Sequence, residues 1–181
     1  MTASPPGRAT PRPAPARGRQ VVGFGGGCHW CTEAVFQALR GVERVEQGWI
    51  RSAPPHDAWS EAVRVTFRPS AIGLRTLVEV HLLTHASTAA HAMRTRYRSA
   101  VYTTSPGQQT EAERILDALA READAPYVTQ ALPLVGFRLN DARLLDYYRT
   151  RPEAPFCTTY IDPKLAELRQ RFAAHVGPGE G

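Results

Sequence analysis

The chain has 181 residues, 22 of them Lys or Arg against 17 Asp or Glu, for a formal net charge of +5. Four of the arginines fall within residues 1–19, where there is no acid, so the rest is close to neutral and a nucleic-acid-binding face built on net positive charge is excluded. There is no apolar run of about 18 residues, which argues against a membrane-spanning helix, and three cysteines are too few for a disulfide framework, leaving catalysis, redox exchange or metal binding.

Residues 1–19 hold five prolines and show no apolar periodicity, so they read as a disordered leader. Their arginines and missing acids are also transit-peptide traits, but amphipathic spacing is lacking and no apolar h-region follows. The expectation is a monomeric, cytoplasmic protein whose residues 20–181 form a single catalytic domain, since a chain of this length buries one core of ordinary size. Within it, residues 20–24 read as a short strand and 29–39 as a helix, with Ala34, Val35, Ala38 and Leu39 at helical spacing and Gly41 as its stop. Strands follow at 42–50 and 62–67, the second alternating Val63, Val65 and Phe67 with Arg64, Thr66 and Arg68, and RSAPPHDAWS between them is a loop. A helix over 74–85 buries Leu77, Val78, Val80, His81 and Leu82, and a short strand spans 99–103. An amphipathic helix covers 108–123, closed by Ala125-Pro126, and 127–132 is a further strand. Short helices at 141–151 and 165–175 flank the segment PEAPFCTTYIDPK. Strands and helices interleave without repeats, which points to an α/β or α+β sandwich.

The stretch GFGGGCHWCTEAVF, Gly23 to Phe36, packs four glycines and two cysteines between the first strand and the first helix. As a dinucleotide fingerprint it supplies Gly23 and Gly25, and Glu43 lies about 20 residues on, but Cys28 stands where the third glycine belongs. As a reactive thiol every residue has a use. Cys28 meets the free N–H groups and positive dipole of a helix start, both of which lower a thiol's pKa. Glycines 25–27 let a substrate approach, Trp30 offers an apolar wall, and Cys31, three residues on, is placed to resolve an oxidised Cys28. Two other readings stay open: small buried hydrophobes, and a zinc site joining Cys28 and Cys31 to His81 and His85, although a second Cys-x-x-Cys is missing.

Gly26-Gly27-Cys28-His29-Trp30-Cys31-Thr32-Glu33 resembles the GGCFW-x-x-E signature of the A-type peptide methionine sulfoxide reductases, in the subset with a second cysteine nearby. The likeness continues through Gly41-Val42, Ser60 to Val65 and Thr95 to Tyr102, and ends in Pro155 to Leu165, covering nearly the whole chain after the leader. It implies an α+β fold, a two-layer α/β sandwich around a central mixed sheet. It also implies a mechanism: Cys28 attacks the sulfur of an S-oxide, Glu61 protonates the departing oxygen from an apolar pocket, and Tyr97 hydrogen-bonds that oxygen. Cys31 or Cys157 then condenses with the Cys28 sulfenic acid, and an external thioredoxin-type dithiol, rather than a bound cofactor or metal, reduces the disulfide. Glu33 is expected to be a structural anion near the helix start.

The departures fall on the substrate side. Where the family has Phe beside the nucleophile this chain has His29, and where it has an oxygen-binding Tyr on the second strand this chain has Trp49-Ile50-Arg51. The family's His-Asp-Pro-Thr and Asn-Asp stretches appear as His85-Ala86-Ser87-Thr88 and His91-Ala92, and an acid usual at the Ala92 position is absent. A substrate pocket of His29, Trp30, Trp49, His91 and Arg94, with Arg51 in reach, suits methionine-S-sulfoxide, free or in peptides, or alternatively a small charged S-oxide of a thiol or thione, such as that of ergothioneine. A third reading is a non-catalytic redox sensor that cycles Cys28 and Cys31, against which the presence of Glu61 and Tyr97 speaks.

Overall fold

A computed structural model describes residues 18–89 and 92–177. The expected leader lies outside the described residues except for Gly18 and Arg19, and so does His91. Six strands form one sheet: β1 (Gln20–Gly25), β2 (Val42–Arg51), β3 (Ser60–Phe67), β4 (Ala100–Thr103), β5 (Gln130–Pro133) and β6 (Gly136–Leu139). Their order is β5-β4-β1-β3-β2-β6, antiparallel throughout except for the β4–β5 pair, so the sheet is mixed as the resemblance implied.

Side chains alternate across a strand, and β3 shows what that does here. Val63, Val65 and Phe67 face one way, into the main core, where α1 (His29–Gln37), α2 (Leu74–Thr84), α3 (Pro106–Ala123) and a later helix bury Phe36, Leu77, Val80, Ile115 and Leu168. Ala62 faces the other way with Ile50, Ala100 and Tyr102, a small second cluster covered by Leu132, Leu134 and Phe137. Glu61 lies in the row of Val63, on the helical side and beneath the start of α1. Phe24 stacks on Phe36 with centroids 4.5 Å apart, fixing α1 against β1.

Two expectations change in detail. The helix expected at 141–151 is broken into a 3₁₀ turn at Ala142–Leu144 and α4 (Tyr147–Thr150), because Asp146 between them takes a left-handed φ of 51°. The helix expected at 165–175 begins earlier, as a π-helical turn at Cys157–Ile161 running into α5 (Asp162–Arg171). β6 had no sequence signal: four residues are too few to show alternation, and the strand exists through its pairing with Gly48 to Arg51. A Cβ on Gly48 would sit 2.0 Å from the Arg138 carbonyl oxygen, so only glycine lets the two strands meet.

The turn from β1 into α1 rests on two histidines of α2 and its end. Gly26 has φ of 149°, and a Cβ there would lie 2.4 Å from the His85 ring. That ring stacks on His81 at 4.1 Å, donates Nδ1–H to the His81 carbonyl, and accepts at Nε2 from Ser99 Oγ at 2.8 Å. Burial is the main reason both imidazoles hold protons weakly, His81 well below the usual value and His85 at about 4. Unfolding releases them to an ordinary value of about 6.5, so the unfolded state takes up more protons below that pH and stability falls between pH 6.5 and about 4. The urea midpoint should drop across this interval, and the drop should be smaller in His85→Gln than in the parent protein.

Candidate active site

Cys28 is the N-cap of α1, with φ −59° and ψ 129°, where the glycine turn ends and the helix begins. Its thiol makes no regular capping hydrogen bond and the first turn carries no acid, so the positive end of the helix is left facing the sulfur. The Cys31 thiol is hydrogen-bonded to Cys28, and this contact is the largest cause that lowers the Cys28 pKa, with smaller help from the Trp30 and Cys31 amides and opposition from burial and Glu61. The same contact, followed by burial, pushes Cys31 far above the ordinary thiol range. Of the two thiols Cys28 is therefore the one that gives up its proton more readily, and Cys31 the one that keeps its proton and donates.

The two sulfurs line a cavity of about 330 Å³ with Tyr97, His85, Met93 and Lys164. Lys164 reaches it from α5 and donates to the Thr84 carbonyl. An open cavity of about 390 Å³ at Gln20, Thr104 and Gln108 has no cysteine, histidine or tyrosine in its lining.

Glu61 sits behind this cavity and is only 3% exposed. Its Oε2 accepts the His29 backbone N–H at 3.2 Å, and its Oε1 accepts both Nε and Nη2 of Arg96, at 3.0 and 2.8 Å. The expected apolar pocket is thus a polar one. The His29 ring is buried, and burial lowers its pKa, the Glu61 charge opposing and Arg96 adding to the fall. Asn140 Nδ2 donates to His29 Nε2 at 3.3 Å, which assigns the ring proton to Nδ1, 3.3 Å from the Gly48 carbonyl and 3.6 Å from Glu61 Oε2. The row continues: Asn140 donates to Gln47 at 2.9 Å, and Gln47 donates to Glu33 at 2.8 Å. Glu33 also accepts the Asp146 and Tyr147 amides, at 3.0 and 3.3 Å, anchoring α4 to α1.

The structure brings Cys28, Cys31 and Tyr97 to one cavity, with Glu61 next to it through Arg96. Cys157 is fully buried, in the π-helical turn, and its neighbourhood with Cys31 shows as a small upward push on the Cys31 thiol. The expected substrate-binding set is dispersed. His29 faces Gly48 and Asn140, away from the cavity lining. Trp30 stacks on Tyr147 at 4.1 Å with Phe156 edge-on at 5.4 Å. Trp49 meets the His29 ring at 5.8 Å and carries Arg96 over its face at 5.7 Å. Arg94 donates to the carbonyls of Gly26, Tyr97, Ala86 and Ala89, so its guanidinium is engaged with the backbone. Arg96, Asn140 and Lys164 were missed as site residues. Arg96 and Lys164 each stand inside a recognised motif, next to a quoted residue, whereas Asn140 has no local signal because its partners lie about 90 to 110 positions earlier. Among the described residues no three His, Cys, Asp or Glu side chains gather closely enough to hold a metal ion.

A family model described as peptide methionine sulfoxide reductase matches residues 20–176, the whole sheet and every helix just described. The chain belongs to the peptide methionine sulfoxide reductase family. It is 34% identical to the peptide methionine sulfoxide reductase MsrA of Deinococcus radiodurans, over 87% of this chain and 84% of that protein. Its fold is similar to that of reduced Mxr1 from Saccharomyces cerevisiae, with TM-score 0.67 and 18% identity over 78% of this chain and 91% of that one. A structure of Mxr1 in complex with Trx2 is also similar, with TM-score 0.56 and 19% identity over 71% and 84% of the two chains. Among the described residues of this family member no helix is long and apolar enough to cross a membrane.

The thiol pair predicts how Cys28 reacts with an alkylating agent. Its rate should rise through a pKa below the ordinary 9.0, and Cys31→Ala, by removing the main stabilising donor, should slow alkylation at pH 7 by about tenfold. Cys31→Ser, which keeps a donor, should lose less, and peptide mapping of the label checks the site.

Proposed function

We propose that the protein is a thiol-dependent methionine sulfoxide reductase in which residues 20–181 form one catalytic domain and Cys28 is the nucleophile. The observation that carries this is the Cys28–Cys31 pair at the N-terminus of α1, with Glu61 held under the same turn by the His29 amide. The Cys28 thiolate attacks the S-oxide sulfur, a proton held by Glu61 passes to the oxygen, and Tyr97 at the cavity wall hydrogen-bonds that oxygen as charge develops. The protonated oxygen passes from the substrate sulfur to the Cys28 sulfur as the substrate S–O bond and the transient S–S bond break, the sulfide leaves, and Cys28 is left as a sulfenic acid, so the substrate is reduced by two electrons and Cys28 oxidised by two.

Resolution follows from the electrostatics of the pair. Both the Cys28 hydrogen bond and the Cys28 charge hold the proton on Cys31, while Lys164 pulls the other way. Conversion of Cys28 to a neutral sulfenic acid removes the first two influences and leaves Lys164. Cys31 then loses its proton and attacks the Cys28 sulfur, releasing water and forming the disulfide. Cys157, packed near Cys31, is the second thiol to which that disulfide passes. An external dithiol of the thioredoxin type restores the thiols, a reading supported by the similar fold of Mxr1 solved with Trx2. The reading of a small polar S-oxide loses one of its grounds, because His29 faces away from the cavity.

With thioredoxin, its reductase and NADPH, the purified protein should consume NADPH on methionine-S-sulfoxide and not on the R epimer. Cys28→Ser should abolish turnover, and Glu61→Gln should lower kcat/KM by about 10²-fold or more. A parent protein silent on the S epimer would overturn the proposal.

A further inference from the structure

Every hydrogen bond of the Glu61 carboxyl is accepted from a donor. Both arms of the Arg96 fork fall on Oε1, the His29 amide falls on Oε2, and the His29 Nδ1–H stands 3.6 Å away. The Arg96 fork occupies both acceptor positions of Oε1 and the His29 amide one of Oε2, so opening the fork is what clears a whole oxygen for proton transfer. Of the two partners only Arg96 is free to move. Its side chain is 53% exposed against 4% for Glu61, and its main chain is pinned by carbonyl contacts from the Glu61 amide at 2.8 Å and Ser60 Oγ at 2.9 Å. Opening is therefore a swing of the guanidinium alone. It already lies 5.5 Å from the centre of the Tyr97 ring, and Tyr97 lines the Cys28 cavity.

What would draw Arg96 towards the cavity is a negative charge, and the only one its lining supplies is the Cys28 thiolate, which the attack itself consumes. Its lining includes Lys164 and no Asp or Glu, and Arg94 at its edge is committed to backbone carbonyls. The charge has to come with the substrate. We propose that Arg96 is a specificity-determining residue that exchanges Glu61 for an anionic group on the S-oxide substrate, so that binding of an acidic substrate opens the fork and lets Glu61 take up a proton from water and pass it to the departing oxygen. The anion is a carboxylate close to the S-oxide, either the α-carboxylate of free methionine sulfoxide or an Asp or Glu side chain beside the oxidised residue in a peptide. The inference rests on the reductase reading and adds its substrate class.

The test compares kcat/KM for N-acetylmethionine-S-sulfoxide with that for its uncharged amide, in the parent protein, Arg96→Gln and Arg96→Lys. The parent should prefer the carboxylate by about fivefold, the upper range for one half-exposed charge pair, and added salt should shrink the preference. Arg96→Gln should bring the ratio below about twofold, mostly by raising turnover of the amide, and Arg96→Lys, which keeps charge but not the fork, should fall between. Peptides carrying Asp or Asn next to methionine sulfoxide separate the two sources of the carboxylate: an Asp preference assigns the side chain, and a preference confined to N-acetylmethionine sulfoxide assigns the terminal carboxylate. Equal use of acid and amide by the parent, or a preference that survives in Arg96→Gln, overturns the inference while leaving the reductase reading intact. Silence on both substrates removes the two together.

Discussion

The contact between the His85 ring and the bare Cα of Gly26 decides where the nucleophile sits. Because no side chain intervenes, the turn after β1 folds flat against the stacked imidazoles of α2, and the Arg94 guanidinium closes over it by taking the Gly26 carbonyl at 3.0 Å. Cys28 is then carried to the N-cap of α1 with its sulfur facing the Trp30 and Cys31 amides and not the body of the helix. Moving Gly26 would disturb three things at once: the His85–Ser99–Thr129 hydrogen bonds below it, the Arg94 clamp above it, and the thiol beyond it.

From that turn the site divides into a sulfur half and an oxygen half. In the sulfur half two thiols differ in proton affinity through one shared hydrogen bond, so the same contact that lowers the Cys28 pKa raises that of Cys31. In the oxygen half a buried carboxyl is positioned by the α1 N-terminus on one side and by an exposed guanidinium on the other. The His29–Asn140–Gln47–Glu33 row ties that carboxyl to α4 and β6, so residues 136–150 brace the site although they carry none of the reacting groups. A buried polar row of this kind is stable only when every member has a partner, which is why the Asn140 side chain serves two groups and that of Gln47 three, the Leu144 carbonyl included.

The parts of this arrangement legible in the sequence are those fixed by neighbours along the chain. A strand, a glycine turn, two cysteines three apart and a helix are all local, and they place Cys28 correctly before any tertiary contact is known. The alternation of β3 likewise put Val63 and Phe67 on a core face, and Glu61 follows by parity. What depended on distant pairing stayed hidden. β6 is a strand only because β2 offers it an edge, Asn140 reaches His29 across the sheet, and the Arg96 fork needs the return from residue 96 to β3. The partners of Arg94 and His29 stayed hidden for a related reason: a polar residue beside a nucleophile looks unengaged in a sequence, whereas the fold pairs these two with backbone carbonyls and a buried amide.

The most direct test of the thiol chemistry is to add one equivalent of methionine-S-sulfoxide to the fully reduced protein, with no external reductant, quench with an alkylating agent at short times, and map the three cysteines by mass spectrometry. The account predicts a Cys28–Cys31 disulfide as the first product, with Cys157 still free, and a trapped Cys28 sulfenic acid in a protein lacking both other thiols. A first disulfide between Cys28 and Cys157, or a Cys28 that stays reduced while methionine appears, would contradict it.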